Sequence, residues 1–218
     1  MSIASYIDHT ILKPTTSIAD AEQLCREAVE YGFAAVCVPP PFVKRVATIL
    51  DPAATKVATV IGFPFGYSAT EAKIAETVLA IVDGADELDM VINLIALRQN
   101  DWDFLGREVA LATEVVHNKG KIIKLIIESG ILTNEEIIRC CQVFGPLGID
   151  FMKTSTGYAE KGATLEAVQL MRSHLPSTVQ IKASGGIKTY AFAAQLVAAG
   201  ANRLGCSASV QIVKEQPE

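Results

Sequence analysis

Short apolar runs alternate with amphipathic segments along the whole chain, and glycines stand at many of the joints between them. The apolar runs predict eight buried strands, at approximately 5–11, 33–38, 57–61, 86–92, 121–127, 148–153, 179–183 and 203–205. Eight strand–helix units in 218 residues predict a single α/β domain over residues 1–218, a (β/α)8 TIM barrel. An open doubly wound sheet is the alternative, because counting strands does not prove that the sheet closes.

The helices between these strands carry recognisable ends and faces. Four glycines are suited to a left-handed helix end: Gly32, Gly84, Gly120 and Gly200. Three pairs predict capping boxes at helix starts: Ser17 with Asp20, Ser68 with Glu71, and Thr133 with Glu136. Two apolar stripes are expected to face the sheet: Ala21, Leu24, Cys25 and Ala28 on one helix, and Ala75, Val78, Leu79 and Val82 on another.

Composition narrows the class of protein. Half of the residues are hydrophobic and 20% are charged, which is typical of a folded domain with a large core. A net charge of −5 argues against nucleic acid as a partner, and no apolar run reaches the ~18–20 residues of a membrane span. Five cysteines without CxxC spacing and an N-terminus without signal-peptide features predict a reduced, cytoplasmic protein. Three scattered histidines predict no metal site.

Lysines lie late in three consecutive predicted strands. Lys124 lies in the fifth strand, Lys153 closes the sixth and Lys182 lies near the end of the seventh. A lone lysine at a strand end often only reaches for water, but three on adjacent strands require carboxylates or an anionic ligand nearby. Because two crowded ammonium groups repel, one of them can lose its proton and become a nucleophile. Lys153 is the predicted nucleophile.

Strand aspartates can supply the opposing charge. Asp89 interrupts an apolar run in the fourth strand, and Asp8 lies in the first. Each is interpreted either as a member of a satisfied ion pair or as a functional group. The lysines expected opposite favour function, with Asp89 as a general acid and base acting through water.

Glycine-rich loops follow the last two strands. The segments SGGI (184–187) and GCSAS (205–209) offer backbone N–H groups to an anion, and the second one opens a helix. A single short glycine loop is usually only a turn. Two of them after strands 7 and 8, where many barrels bind phosphate, predict a phosphate site. His9 is expected to pack, with a hydrogen bond near the site as the alternative, and His117 is expected to lie on the surface.

Five motifs together resemble those of the deoxyribose-phosphate aldolase family, in their order and spacing over nearly the whole chain. They are IDHTILKP (7–14), ELDMVIN (87–93), LIIESG (125–130), DFMKTSTG (150–157) and KASGGI (182–187). The resemblance implies a class I aldolase that needs no metal and no cofactor. Its substrates would be small molecules: 2-deoxy-D-ribose 5-phosphate, cleaved reversibly to D-glyceraldehyde 3-phosphate and acetaldehyde. A homo-oligomer, dimer or tetramer, is also expected.

The resemblance also implies roles for particular residues. Lys153 would form the Schiff base, Lys182 would lower its pKa, and Asp89 would relay protons. Two residues, Asp8 and Lys124, would complete the polar pocket, and Thr154 is expected beside the substrate. The phosphate region would comprise Gly157, Gly185, Gly186, Lys188 and Ser207.

Three positions depart from the family pattern. Ala208 stands where many members have a serine, which predicts one phosphate hydrogen bond fewer or its supply by the backbone. Tyr158 replaces a lysine found in some members and removes a charge. The chain ends in KEQPE (214–218), without the longer tail ending in tyrosine that some members use in proton transfer.

Two other functions remain open from the sequence. One is a Schiff-base aldolase for a different phosphorylated sugar, since the same motifs would serve it. The other is a barrel that binds a sugar phosphate without turnover. A metal-dependent aldolase is disfavoured, because the histidines are few and scattered.

Overall fold

A computed structural model describes residues 2–51 and 53–217. Met1, Pro52 and Glu218, the last residue of the predicted short tail, lie outside the described residues. The strands are β1 (Ile7–Thr10), β2 (Ala35–Val38), β3 (Lys56–Ile61), β4 (Glu87–Val91), β5 (Ile122–Ile126), β6 (Phe151–Lys153), β7 (Gln180–Ser184) and β8 (Arg203–Cys206). The helices are α1 (Ile18–Tyr31), α2 (Val43–Ala47), α3 (Thr70–Val82), α4 (Leu94–Arg98), α5 (Trp102–His117), α6 (Asn134–Phe144), α7 (Leu165–His174), α8 (Tyr190–Ala198) and α9 (Ser209–Lys214).

The eight strands form one closed barrel, in sequence order and with parallel pairing throughout. Closure is made by β1 and β8, where Asp8 pairs with Gly205. This pairing confirms the predicted TIM barrel and excludes the open sheet. All eight predicted strands are present, but β1, β2 and β6 begin two or three residues later than expected. A 3-10 helix occupies Ile3–Tyr6, and the left-handed Gly148 delays the start of β6.

The barrel interior is divided between small apolar and long charged side chains. Strands β2 and β3 contribute a small cluster, Ala35, Cys37, Ala58 and Val60. Charged side chains from the other strands fill the remaining space, and they are buried except for that of Arg203, which is 15% exposed. The main apolar core lies outside the barrel, between the strands and the helices. No helix within residues 2–51 and 53–217 has the length and apolar character needed to cross a membrane.

Two of the three predicted capping boxes form. Ser17 with Asp20 and Thr133 with Glu136 make both reciprocal hydrogen bonds at the starts of α1 and α6. The prediction for Ser68 is wrong, because α3 begins after Ala69, which has no side chain that can cap. The four glycines predicted at helix ends all have positive φ angles.

The predicted apolar stripe of α3 faces outward rather than toward the sheet. Leu79 is 61% exposed and Val82 is 76% exposed, whereas Lys73 is fully buried. Lys73 Nζ donates to the backbone oxygen of Val91, at the end of β4, and to Glu108 Oε2 at 2.9 Å. The inward face of α3 is therefore held by a buried ion pair, which hydrophobic periodicity does not reveal.

This ion pair generates a stability prediction. Lys73→Met leaves Glu108 buried with Thr70 as its remaining hydrogen-bond donor, so we expect a loss of roughly 3–5 kcal/mol in the free energy of unfolding. The double variant Lys73→Met/Glu108→Leu removes both charges and should recover most of that loss. Denaturant titration measures both values, and additive losses in the double variant would contradict the interpretation.

Candidate active site

A cavity of about 660 Å³ lies at the carboxyl ends of the strands. Its walls come from the segments that follow β1, β6, β7 and β8, which is where a parallel barrel gathers functional groups. Lys153, at the end of β6, is 2% exposed and lines this cavity. Of the three strand lysines, Lys153, the predicted nucleophile, is therefore the one that a molecule in the cavity could contact.

Asp89, on β4, contacts the lysines of the next three strands, β5, β6 and β7. Its Oδ2 atom accepts hydrogen bonds at 2.7 Å from both Lys153 Nζ and Lys182 Nζ. Its Oδ1 atom accepts one at 2.7 Å from Lys124 Nζ. The pairing of β4 with β5 places Asp89 opposite Lys124, and that of β6 with β7 places Lys153 opposite Lys182. The register of the barrel therefore brings these four side chains together.

A second set of charges lies beneath this group. Asp8 makes a short contact with Lys182 Nζ and accepts from Arg203 Nη1 at 2.6 Å. Glu87 Oε2 lies 2.6 Å from Lys124 Nζ and 3.2 Å from Arg203 Nη1. The guanidinium of Arg203 also lies over the ring of Phe151, 5.6 Å from its centroid. Lys124 and Lys182 therefore each contact Asp89 and also a carboxylate of this second set.

Comparison with known proteins identifies the family. A family model described as "DeoC/LacD family aldolase" matches residues 2–209. The chain is 49% identical to the deoxyribose-phosphate aldolase of Thermococcus gammatolerans, over 98% of this chain and 96% of that relative. The chain belongs to the DeoC/LacD family of aldolases.

Solved structures agree in fold and sequence. The structure called "QR15, an Aldolase" has a TM-score of 0.93 and 38% identity, covering 98% of this chain and 95% of that one. The deoxyribose phosphate aldolase from Aeropyrum pernix, described as a unique tetrameric structure, has a TM-score of 0.90 and 31% identity over 97% of this chain and 89% of that one.

The buried cluster of charged residues below the cavity has a net charge when every lysine is protonated. Four cationic groups, Lys124, Lys153, Lys182 and Arg203, meet three carboxylates, Asp8, Glu87 and Asp89. Loss of one proton would make the buried cluster neutral. Burial of uncompensated charge is costly, so the cluster as a whole favours one neutral lysine.

Lys153 is the lysine that most readily gives up this proton. Within the described residues its Nζ reaches one carboxylate, Asp89, whereas Lys182 reaches Asp8 and Asp89. Burial lowers the pKa of Lys153, Asp89 opposes this effect, and Lys182 adds to the lowering. Burial is thus the larger cause, and the repulsion expected from the sequence is the smaller one. The net shift is downward, and the neutral form of Lys153 stays a prediction.

The pKa values of the other two lysines shift upward, and Asp89 stays ionised. Burial would lower the pKa of Lys182, but Asp8 and Asp89 raise it above the ordinary lysine value. The pKa of Lys124 is raised as well, because Asp89 and Glu87 outweigh its burial. Burial would raise the pKa of Asp89, yet the three lysines hold it well below its usual range. Asp89 is therefore an anion that can accept hydrogen bonds from all three.

The predicted site residues fall into two layers. The cavity wall includes Lys153, Gly157, Gly185, Gly186, Lys188 and Ser207. Asp8, Lys124, Lys182 and Asp89 do not line the cavity but lie buried below it. The resemblance implies that Asp8 and Lys124 contact the substrate. In the structure they contact the other charged residues below the cavity instead.

Thr154 also differs from its expected place. It is fully buried and does not line the cavity. Its hydroxyl donates to the backbone oxygen of Ser184 and accepts from the backbone N–H of the same residue. Thr154 therefore ties β6 to β7, and Thr156, two residues further on, contributes to the cavity wall instead.

Sequence reasoning missed several contributors. Arg203 lies in the predicted eighth strand, where the sequence indicates no role for it. It has the same strand phase as Gly205, two residues later, and its side chain contacts Asp8 inside the barrel. Gly205 leaves room for Lys182, since a Cβ there would lie 3.2 Å from the Cε of that lysine. A glycine two residues after a charged strand residue was the available signal.

The histidines take up different environments. His9 packs on Phe33 as expected, but it also lines the cavity and contacts Glu27 Oε2 at 2.7 Å and Ser209 Oγ at 2.9 Å. His117 lies at the surface as predicted and contacts Asp150.

Removal of Lys182 should alter the protonation of Lys153. In Lys182→Met the remaining cations, with Lys153 protonated, balance the three carboxylates, and Asp89 Oδ2 is left to Lys153. We expect the pKa of Lys153 to rise by on the order of one pH unit, so the neutral amine appears at higher pH. The rate at which cyanate modifies Lys153, followed by peptide mass spectrometry against pH, measures this shift.

Lys119→Met provides the matched control, since Lys119 is an exposed lysine at the end of α5. Its pH profile should coincide with that of the unaltered protein. A profile for Lys182→Met that stays in place or moves to lower pH would contradict the charge balance.

Proposed function

We propose that this protein is a class I aldolase that reversibly cleaves 2-deoxy-D-ribose 5-phosphate to D-glyceraldehyde 3-phosphate and acetaldehyde. The observation that carries the proposal is the position of Lys153. It lines the cavity, it is buried, and the one carboxylate that it contacts within residues 2–51 and 53–217 is shared with two better-satisfied lysines. The similarity to enzymes named deoxyribose-phosphate aldolase supports the choice of substrate.

The reaction would begin at the neutral amine of Lys153. Its nitrogen attacks the C1 aldehyde of the open-chain substrate and forms a carbinolamine, with the proton lost from nitrogen passing to the alkoxide oxygen. Protonation of the C1 hydroxyl then releases water and leaves a protonated imine. Asp89 Oδ2 lies 2.7 Å from Nζ and is positioned to hand protons to and from this centre, through water.

The iminium would then serve as an electron sink. The C3 hydroxyl loses its proton, the C2–C3 bond breaks, and C3 becomes the aldehyde carbon of D-glyceraldehyde 3-phosphate. The bonding electrons form an enamine on the two carbons that remain attached to Lys153. Protonation of the enamine carbon, followed by addition of water, releases acetaldehyde and restores the free amine.

The substrate phosphate would bind at the far side of the cavity. Gly157, Gly185 and Gly186 have positive φ angles and line the wall, together with Lys188 and Ser207. Glycine backbones allow N–H groups to approach an anion, and Lys188 supplies a positive charge. Tyr158, which replaces a lysine of some relatives, donates instead to the backbone oxygen of Leu12. Binding of phosphate therefore relies on the loops.

Borohydride trapping tests the nucleophile and the chemistry together. Incubation with acetaldehyde and borohydride should add a reduced two-carbon adduct to Lys153, detected by peptide mass spectrometry. Lys153→Met should carry no adduct at that site and should lose activity by roughly 10⁴-fold or more, the scale on which removal of a covalent nucleophile acts. Lys119→Met should retain both the adduct and the activity.

Other results would favour the alternatives. An adduct at Lys153 without turnover of 2-deoxy-D-ribose 5-phosphate points to another phosphorylated sugar, which a substrate panel would identify. Binding of sugar phosphates without any adduct would mean a non-catalytic barrel. The absence of a metal and of a cofactor stays a prediction, for which unchanged activity after dialysis against a chelator is the expected result.

We also propose that the protein is a homo-oligomer that associates through α3. This helix presents Val78, Leu79 and Val82 to solvent beside a groove of about 550 Å³ lined in part by Pro40 and Pro41. A contiguous exposed apolar face is typical of an association surface, and two copies can bury it by two-fold symmetry. The tetramer reported for the Aeropyrum pernix relative supports a second copy of the chain as the partner.

Substitution on this face should dissociate the oligomer. Leu79→Glu places a charge at the centre of the contact, so light scattering should give a smaller mass than for the unaltered protein. Val29→Glu is the control, because Val29 is 64% exposed on α1, away from this face. A monomeric unaltered protein, or dissociation by Val29→Glu alone, would refute the proposed surface.

We propose that the protein acts in the cytoplasm. Among the described residues, all five cysteines are free and buried, including the adjacent Cys140 and Cys141. Free, buried thiols are typical of a reducing environment, which supports the cytoplasm as the site of action.

A further inference from the structure

Glu128 occupies a backbone conformation that glutamate rarely adopts. It follows β5 in the LIIESG motif and has φ 47° and ψ 55°, in the left-handed region. Within the described residues, Asn100 is the other non-glycine residue with positive φ, and asparagine tolerates this region better. Glu128 is also only 3% exposed, so its side chain is not held there by solvation. The unfavourable backbone indicates that the carboxylate has a specific role.

The carboxylate of Glu128 holds one residue of the cavity wall. It accepts a short hydrogen bond from the hydroxyl of Thr156, and the backbone N–H of Thr156 lies 3.4 Å from each of its oxygens. Burial raises the pKa of Glu128, and the hydrogen bonds from Thr156 oppose that rise. Glu128 does not line the cavity, so it acts on the wall from behind.

Thr156 passes this contact on to the rim of the cavity. Its hydroxyl oxygen accepts from the backbone N–H of Tyr158 at 3.0 Å. The hydroxyl of Tyr158 in turn donates to the backbone oxygen of Leu12 at 2.8 Å, on the loop after β1. Thr156, Gly157 and Tyr158 all line the cavity. A continuous set of hydrogen bonds therefore runs from Glu128 along the wall to the opposite loop.

The backbone next to Glu128 is fixed to the same strand end. Ser129 N–H donates to the backbone oxygen of Thr154 at 2.6 Å, and Ile127 N–H donates to that of Lys153 at 3.1 Å. The carboxylate is thus placed at a set distance from the segment that follows Lys153. A shorter side chain would not reach that segment, and a neutral one would hold it less strongly.

We propose that Glu128 is a positioning residue that acts through Thr156 to hold residues 156–158 in place for the substrate phosphate. This inference rests on the proposed phosphate-binding role of Gly157. It assigns Glu128 to recognition of the phosphate group and not to formation of the imine on Lys153. Its loss should therefore change the binding of phosphorylated ligands more than the turnover of bound substrate.

The central comparison uses Glu128→Gln with two substrates. One is 2-deoxy-D-ribose 5-phosphate and the other is 2-deoxy-D-ribose, which lacks the phosphate. An amide accepts at one end only, so we expect KM for the phosphorylated substrate to rise about tenfold, the scale of one lost hydrogen bond to a charged group. The kcat for that substrate, and kcat/KM for the sugar without phosphate, should change by less than about threefold.

Variants of Thr156 test the route of the effect. Thr156→Val removes the hydroxyl and should reproduce the rise in KM, whereas Thr156→Ser keeps the hydroxyl and should restore values near those of the unaltered protein. The double variant Glu128→Gln/Thr156→Val should be no worse than the more affected single variant, since both break the same contact. These substitutions also decide the matter if Glu128→Gln does not fold.

Titration with inorganic phosphate, followed by calorimetry, gives a readout that does not depend on turnover. Weaker phosphate binding in Glu128→Gln and Thr156→Val, but not in Thr156→Ser, supports the inference even if the unaltered protein fails to cleave the sugar. Equal losses of kcat/KM for both substrates, unchanged phosphate binding, or additive effects in the double variant would overturn it.

Discussion

One carboxylate shared by three lysines determines the charge balance inside this barrel. Asp89 accepts hydrogen bonds from Lys124, Lys153 and Lys182, and all four side chains are removed from water. Such burial is unfavourable unless the charges compensate each other. With Arg203 present, the surrounding carboxylates compensate three cations and leave the fourth without a counter-charge. We infer that Lys153 is the group that lacks a proton, because among the described residues it is the basic member of the cluster with the fewest carboxylate partners and it lines the cavity.

The rest of the fold supports this arrangement. The closed register sets the lysines of β5, β6 and β7 beside one another, and the small side chains of β2 and β3 leave space for them in the interior. The apolar core lies between strands and helices, so the inside of the barrel is free to carry charge. The loops beyond the strand ends then enclose Lys153, the lysine of the buried cluster that lines the cavity. Stability and chemistry are thus assigned to different layers of the same barrel.

Much of this organisation could be predicted from the sequence. Strand position alone placed Lys153, Lys182 and Asp89 at one end of a parallel barrel, because adjacent parallel strands bring their carboxyl ends together. The side chains that face inward at a lower level were harder to recognise, since Arg203 and Glu87 resemble ordinary charged strand residues. Thr154 was misplaced because its hydroxyl is bonded to the backbone of Ser184, a contact between β6 and β7 that the sequence does not reveal. The stripe on α3 misled for a different reason: a buried ion pair between Lys73 and Glu108 replaced the apolar contacts that periodicity assumes.

Titration of the buried lysines themselves tests most directly which of them is neutral. NMR of protein carrying ¹³Cε-labelled lysine, assigned with single Lys→Met variants, reports the pKa of each amine. We expect Lys153 to titrate below the ordinary pKa of 10.5, whereas Lys124 and Lys182 should remain protonated beyond it. A Lys153 amine that titrates at or above 10.5, or a neutral Lys182 beside a charged Lys153, would contradict the assignment of the excess proton.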